Sequence, residues 1–171
     1  MMMPHNERTT VAGRYDCSFN LFQNRLIMDY AQLYDDLQAL LGDEPDLIAR
    51  AANFSAFVFQ KLPNLNWAGF YFLQDDTLVV GPFQGKTACF RIPITKGVCG
   101  ESVRKRETII VPDVHKFLGH IACDSCSNSE IVVPLFRPDK YVFGVLDLDS
   151  FLFDRFDETD KIGLENLVKL L

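Results

Sequence analysis

Between residues 66 and 150 the hydrophobic pattern alternates with a period of two, broken by one short helical stretch. On either side of this block the period is three to four. That arrangement constrains the fold more than any other feature. Parallel strands need crossover connections of a dozen or more residues, and those are missing between most of these segments. The expectation is an α+β domain: two helices, about six strands in one antiparallel sheet with a short inserted helix, and a closing helix.

Individual elements follow from local signals. Leu26, Ile27, Tyr30, Leu33, Tyr34, Leu37, Leu40 and Leu41 form one apolar stripe of helical spacing, ended by Gly42. Asp43 or Asp46 offers a cap for a second helix, with Pro45 in its first turn, running to about Lys61 before Pro63 stops it. Strands are expected over residues 67–73, 77–82, 88–94, 108–111, 129–135 and 141–150, with Asp75-Asp76 as the first turn. Residues 97–106 read as the inserted helix and 113–128 as a long loop. Asp157 or Thr159 starts the final helix over residues 162–171. The polar, aperiodic residues 1–16 read as a flexible arm, leaving 17–171 as a single domain.

Composition narrows the function classes. With 171 residues, 48% hydrophobic and 15 of them Phe, the chain has enough apolar surface for its own core, which excludes a disordered protein. A net charge of −6 argues against a nucleic-acid backbone or an anionic membrane as partner. No apolar run approaches the roughly 20 residues that a membrane span needs. The first 15 residues carry two Arg and no apolar stretch of signal-peptide type, so the expectation is a cytoplasmic protein. Five cysteines, an odd number, suit a reduced compartment where thiols are reactive, metal-binding or simply buried.

Strand parity places candidate site residues. Phe143, Val145, Asp147 and Asp149 fall on one face of the last strand, its two acids about 7 Å apart. Glu130 on the preceding strand can oppose them. Trp67 and Tyr71 share a face with Gly69 between, an arrangement that leaves space between two aromatic walls. Clustered carboxyls repel, so at least one should stay protonated near neutral pH and be able to donate a proton; such a wall also suits an ammonium group. Acids on a solvated strand face are the plainer alternative.

The cysteines leave three readings open. His120, Cys123 and Cys126, with Cys89 or Cys99, have spacing compatible with zinc. Buried inert thiols are the default, above all for Cys17. Thiol redox chemistry is the third, and residue physics ranks Cys99 and Cys123 equally. Cys99 sits at an expected helix N-terminus, which lowers a thiol pKa, while Cys123 lies in a polar loop. His115 and His120 are candidate bases that loops more often simply solvate.

Four segments carry a resemblance to a known family. NWAGFYF (66–72), CFRIPITKGVCGESV (89–103), HIACDSCSNSEIVVPL (120–135) and GVLDLDS (144–150) resemble the free methionine-(R)-sulfoxide reductases, which are single GAF domains. The resemblance implies a six-stranded antiparallel sheet with the N- and C-terminal helices on one face and the ligand pocket on the other. It implies Cys123 as catalytic cysteine, Cys89 as resolving cysteine, and Cys99 as a third thiol able to join exchange. By the same likeness Glu130, Asp147 and Asp149 would bind free methionine-(R)-sulfoxide, with Trp67 and Tyr71 around its methyl sulfoxide. No metal or cofactor is implied, only an external dithiol such as thioredoxin, and a homodimer through the terminal helices is compatible with it. Cys126 has no counterpart in that functional set. A GAF sensor that binds a small molecule without catalysis is the competing expectation.

Overall fold

The computed structural model describes residues 28–121 and 123–171; the expected arm, Cys17, Leu26 and Ile27 lie outside the described residues. Helix α1 (Tyr30–Leu41) begins at Asp29, whose carboxylate accepts from the Gln32 N–H, and ends at Gly42 with φ 46°. Helix α2 (Leu47–Lys61) is capped by Asp46, which accepts from the Ala49 N–H. Pro45 therefore precedes the cap instead of sitting in the first turn as expected. Of the two Asp residues, Asp46 is the one placed to satisfy an orphan amide.

The sheet strands are β1 (Leu65–Gln74), β2 (Thr77–Gly85), β3 (Arg91–Pro93), β4 (Ile109–Val111), β5 (Ser129–Phe136) and β6 (Val142–Ser150), with helix α3 (Gly97–Lys105) between β3 and β4. Their order is β3-β2-β1-β6-β5-β4, and every pair is antiparallel. Strand β3 is shorter than its hydrophobic run suggests, although the Phe90 carbonyl just before it still accepts from the Val80 N–H at 3.1 Å. Among the described residues the long loop contains a single 3-10 turn, Val114–Lys116. Helix α4 (Glu158–Leu167) starts four residues earlier than its apolar stripe, because Asp157 and Asp160 form a reciprocal capping box. Among the described residues no helix is long and apolar enough to cross a membrane.

Each face of the sheet packs a separate core. Leu33, Leu37, Phe54, Val58, Leu164 and Leu167 from α1, α2 and α4 pack with Phe70, Ile131, Val133, Leu146 and Leu148. Full burial of each such side chain contributes about 1.5–3 kcal/mol. The opposite face gathers Trp67, Tyr71, Val132 and Val145 under Val98, Cys99 and Val103 of α3. So the terminal helices cover one face, and the other remains for a pocket.

Two bulges set which side chains reach that pocket. Gly69 pairs with Phe83 while Tyr71 pairs with Val80, so three residues of β2 span two of β1; Pro82, which has no N–H to give a ladder, sits there. On β6, Leu135 pairs with Gly144 but Phe136 with Val142. This shift overturns the expected parity of Phe143. Its ring points to the helical face and stacks on Phe72 at 6.4 Å, while Val142 and Val145 share the pocket face.

At Gly144 an added Cβ would lie 2.5 Å from the Tyr71 carbonyl oxygen. Gly144→Ala should therefore lower stability by about 1–3 kcal/mol, read as a lower urea midpoint at unchanged slope. A midpoint equal to the parent's would contradict this close approach.

Candidate active site

The sheet register assembles an acidic cluster. Across β1, β6 and β5, Trp67 pairs with Asp149 and Asp149 with Glu130, while in the next row Gly69 pairs with Asp147 and Asp147 with Val132. Facing residues in an antiparallel sheet lie on the same side, so all three carboxyls point toward α3. Glu130 and Asp147 are 5% and 6% exposed, and Asp149 is half-buried. The Cys99 thiol descends from α3 and donates to Asp147 Oδ2 at 3.3 Å. The three acids and Cys99 line a pocket with Trp67, Tyr71, Ile92, His120, Ile121 and Cys123.

Burial dominates the electrostatics here. It pushes the Glu130 carboxyl well above the usual range, and the neighbouring charges of Asp147 and Asp149 push further. Burial brings Asp147 up to about 7, against contacts with the Cys99 thiol and Glu130 carboxyl that pull the other way. Asp149 is raised by burial and by the Asp147 charge. His120 Nε2 stands 3.7 Å from Glu130 Oε2. Burial and the charge of His115 lower the His120 pKa. With one pKa lowered and the other raised, this is a contact between neutral groups near neutral pH, not an ion pair.

A disulfide joins Cys89 and Cys123, with Cα atoms 5.5 Å apart and a sequence separation of 34. These are the two cysteines that the resemblance pairs. Cys123 borders the pocket. Its loop is held by Asp124, whose Oδ2 accepts from Asn66 Nδ2 at 3.1 Å and whose Oδ1 accepts from the Cys126 N–H at 3.0 Å and pairs with Lys86 at 3.3 Å. Burial opposes ionisation of Asp124, yet these donors keep its pKa below the usual carboxylate range. On the other side, the Tyr71 hydroxyl donates to the Cys89 carbonyl at 3.2 Å and Trp67 Nε1 donates to the Lys86 carbonyl at 3.1 Å.

Three expectations need correction. Trp67 and Tyr71 do not enclose a gap: their rings stack at 5.8 Å, and Trp67 also stacks on Phe83 at 5.2 Å. The Trp67 ring overhangs Gly69 so closely that a Cβ there would lie 2.7 Å from Cη2. The aromatics form one wall, closed because the β2 bulge brings Phe83 over Gly69. Secondly, Cys99 is not an activated thiol. It is 3% exposed, and burial together with the Asp147 and Glu130 charges raises its pKa. Its place in the first turn of α3, which by itself favours a thiolate, is set against that burial among acids. Thirdly, the disulfide occupies the sulfurs of Cys89 and Cys123, so the zinc set built on His120, Cys123 and Cys126 loses ligands.

A different donor set does converge. One ligand atom each from Cys99, Glu130 and Asp147 lies within 4.8 Å of the others. Since metal binding requires deprotonated ligands, a thiol and acids with raised pKa values bind cations weakly at neutral pH. Sequence reasoning missed the roles of Asn66, Asp124 and Ser127 in holding the loop and the position of His120 against Glu130. Tertiary contacts across some 60 residues bring Asn66 to this loop, its Nδ2 reaching Ser127 Oγ at 2.9 Å.

Acids of raised pKa beside a cystine, on the face of the sheet that the terminal helices leave open, make a setting suited to thiol chemistry. Known proteins place the chain more narrowly. The sequence profile of the GAF domain matches residues 52–171. A free methionine-R-sulfoxide reductase of Escherichia coli (strain K12) is 52% identical over 142 residues, 83% of this chain and 86% of that protein. A protein of the same name from Saccharomyces cerevisiae is 43% identical over 94% of this chain and 91% of its own length. The free methionine-R-sulfoxide reductase of Neisseria meningitidis, solved in complex with its substrate, superposes with a TM-score of 0.79 at 43% identity, covering 82% of this chain and 84% of that one. The chain belongs to the GAF-domain family and, within it, to the free methionine-R-sulfoxide reductases.

The raised carboxyl of Asp147 has a thermodynamic consequence. A group whose folded pKa exceeds its unfolded one stabilises fully below the unfolded value and loses that contribution as pH rises through the folded value. For Asp147 the window runs from its ordinary 3.8 to about 7. Asp147→Asn should therefore be more stable than the parent at pH 8, by on the order of 2–4 kcal/mol, and its stability should fall less between pH 4 and 8. Parallel pH profiles of urea midpoints would contradict the buried acid.

Proposed function

We propose that the chain reduces free methionine-R-sulfoxide to methionine, with Cys123 as nucleophile and Cys89 as resolving thiol. The observation that carries this reading is the Cys89–Cys123 disulfide at the border of a pocket floored by acids of raised pKa. In the reduced enzyme the Cys123 thiolate attacks the sulfoxide sulfur while Glu130, the protonated acid, delivers its proton to the oxygen. The hydroxyl ends on Cys123 as a sulfenic acid, methionine leaves, and the substrate sulfur has gained the two electrons that Cys123 gave. The Cys89 thiol then displaces water from the sulfenic acid and forms the disulfide. An external dithiol of the thioredoxin class resets it by exchange, with no resident cofactor.

The other groups have supporting parts. Asp147 Oδ1 is buried without a hydrogen-bond partner and is the acceptor left for the substrate's α-ammonium, with Asp149 beside it. A cation there favours the ionised acids, so binding releases protons. A peptide-bound residue offers an uncharged amide instead. Trp67 and Tyr71 give the methyl sulfoxide its apolar wall. Cys99 holds Asp147 as a neutral thiol donor and enters exchange only as a reserve, since its pKa is raised. A reducing compartment such as the cytoplasm suits thiol chemistry of this kind.

Cys123→Ser should lower turnover of free methionine-R-sulfoxide by more than about a thousandfold while its thermal unfolding stays as in the reduced parent. Cys89→Ser should release one methionine per chain and then stall with a protein dithiol. Full turnover by Cys123→Ser would overturn the nucleophile, and unchanged turnover by Cys89→Ser would overturn the resolving thiol. Asp149→Asn should raise KM about tenfold with a smaller change in kcat; an unaltered KM would contradict the ammonium contact.

A further inference from the structure

A second link joins the two segments that carry the disulfide. Lys86 stands three residues before Cys89, and Asp124 directly follows Cys123. The Lys86 ammonium meets Asp124 Oδ1 at 3.3 Å. An ion pair therefore runs alongside the Cys89–Cys123 bond and ties the same two pieces of chain together. Lys86 Nζ also donates to Cys126 Sγ at 3.3 Å, a further contact on the Cys123 loop.

Both ends of the pair are anchored from one strand. Trp67 Nε1 donates to the Lys86 carbonyl at 3.1 Å, and Asn66 Nδ2 donates to Asp124 Oδ2 at 3.1 Å. Asn66 and Trp67 are consecutive residues near the start of β1. The Cys126 N–H gives the Asp124 carboxylate another donor at 3.0 Å. The Asp124 side chain is only 8% exposed, against 47% for Lys86. A pair bare at both ends would contribute little, but an enclosed carboxylate depends on its cation.

Cys89 and Cys123 are 34 apart in sequence, and in every turnover they must meet with no covalent bond between them. The rate and the equilibrium of closing a disulfide depend on the effective concentration of one sulfur at the other, which falls as the segments gain freedom. Resting on the reading proposed above, we infer that Lys86 is a positioning residue for the resolving step: paired with Asp124, it forms a clasp that keeps Cys89 within reach of Cys123 while the disulfide is open. In that step the Cys89 thiolate attacks Sγ of the Cys123 sulfenic acid. The Sγ–Sγ bond forms, the S–O bond breaks, and hydroxide leaves with the Cys89 proton as water. The clasp exchanges no electrons. By linkage, the closed disulfide strengthens the ion pair by the factor that the ion pair favours the disulfide. Attack on the sulfoxide uses Cys123 and the acids alone, so the clasp bears on the second step and not on the first.

The variants that test this are Lys86→Met, which keeps an apolar stem and removes the charge, and Lys86→Arg, which restores it. Parent and variants are equilibrated with mixtures of reduced and oxidised dithiothreitol in the absence of substrate. The Cys89–Cys123 disulfide is then quantified by alkylation and mass spectrometry. Lys86→Met should move the equilibrium toward the dithiol about fivefold, a potential about 20 mV less negative. Lys86→Arg should stay within about twofold of the parent. Salt at about 1 M, which screens the pair, should move the parent in the same direction and leave Lys86→Met in place. An unchanged equilibrium in Lys86→Met, or an equal shift in Lys86→Arg, overturns the clasp. In a single turnover with free methionine-R-sulfoxide, reduced Lys86→Met should release methionine within about twofold of the parent's rate but close the disulfide about fivefold more slowly, its sulfenic acid being trapped by dimedone. Slowed release with unslowed closure also overturns the inference. Absence of methionine release by the parent would instead count against the proposed function, while the dithiothreitol equilibrium would still decide the clasp.

Discussion

The structure depends on burying carboxyls side by side on one face of a sheet. Ionised and unpaired, each would carry a desolvation cost that no small domain can sustain. Glu130 and Asp147 escape that cost by holding protons to unusually high pH. Their position follows from strand pairing: Glu130 faces Asp149 because β5 and β6 are in that register and no other. A slip of one residue would turn every acid into the core that Phe70, Ile131, Leu146 and Leu148 form with the helices. The helical core therefore enforces the acidic pocket, although it touches none of its chemistry.

The same environment divides the thiols. Cys99 lies in the acids' field and donates to Asp147, so it remains a neutral thiol despite its place at the start of α3. Cys123 lies on a loop that the network of Asn66, Asp124 and Ser127 ties to β1. The segment carrying Cys89 is tied to the aromatic wall through the Tyr71 hydroxyl and the Trp67 indole. Two separately anchored segments thus meet in one disulfide, on the side of the sheet that the terminal helices leave open.

Much of this was legible in the sequence, for identifiable reasons. The alternation of β6 put Asp147 and Asp149 on one face, and Glu130 followed once adjacent strands were taken as antiparallel neighbours. Phe143 was misplaced because a bulge at Gly144 changes parity, and a lone Gly in a strand does not reveal which neighbour it displaces. The gap expected between Trp67 and Tyr71 is closed by Phe83, carried there by the irregularity at Pro82. Cys99 was misjudged because helix position is readable locally, whereas burial among acids of two other strands is not. His120 and Asn66 reach the site only through a loop without period, whose path no pattern of residues encodes.

The most direct measurement is reduction of the R and S epimers of methionine sulfoxide, free and within a peptide, using dithiothreitol as reductant. The account predicts that only the free R epimer is reduced, because the pocket must hold a charged ammonium while Cys123 and the protonated acid address one face of the sulfoxide. Comparable rates on the peptide-bound substrate, or on the free S epimer, would contradict it.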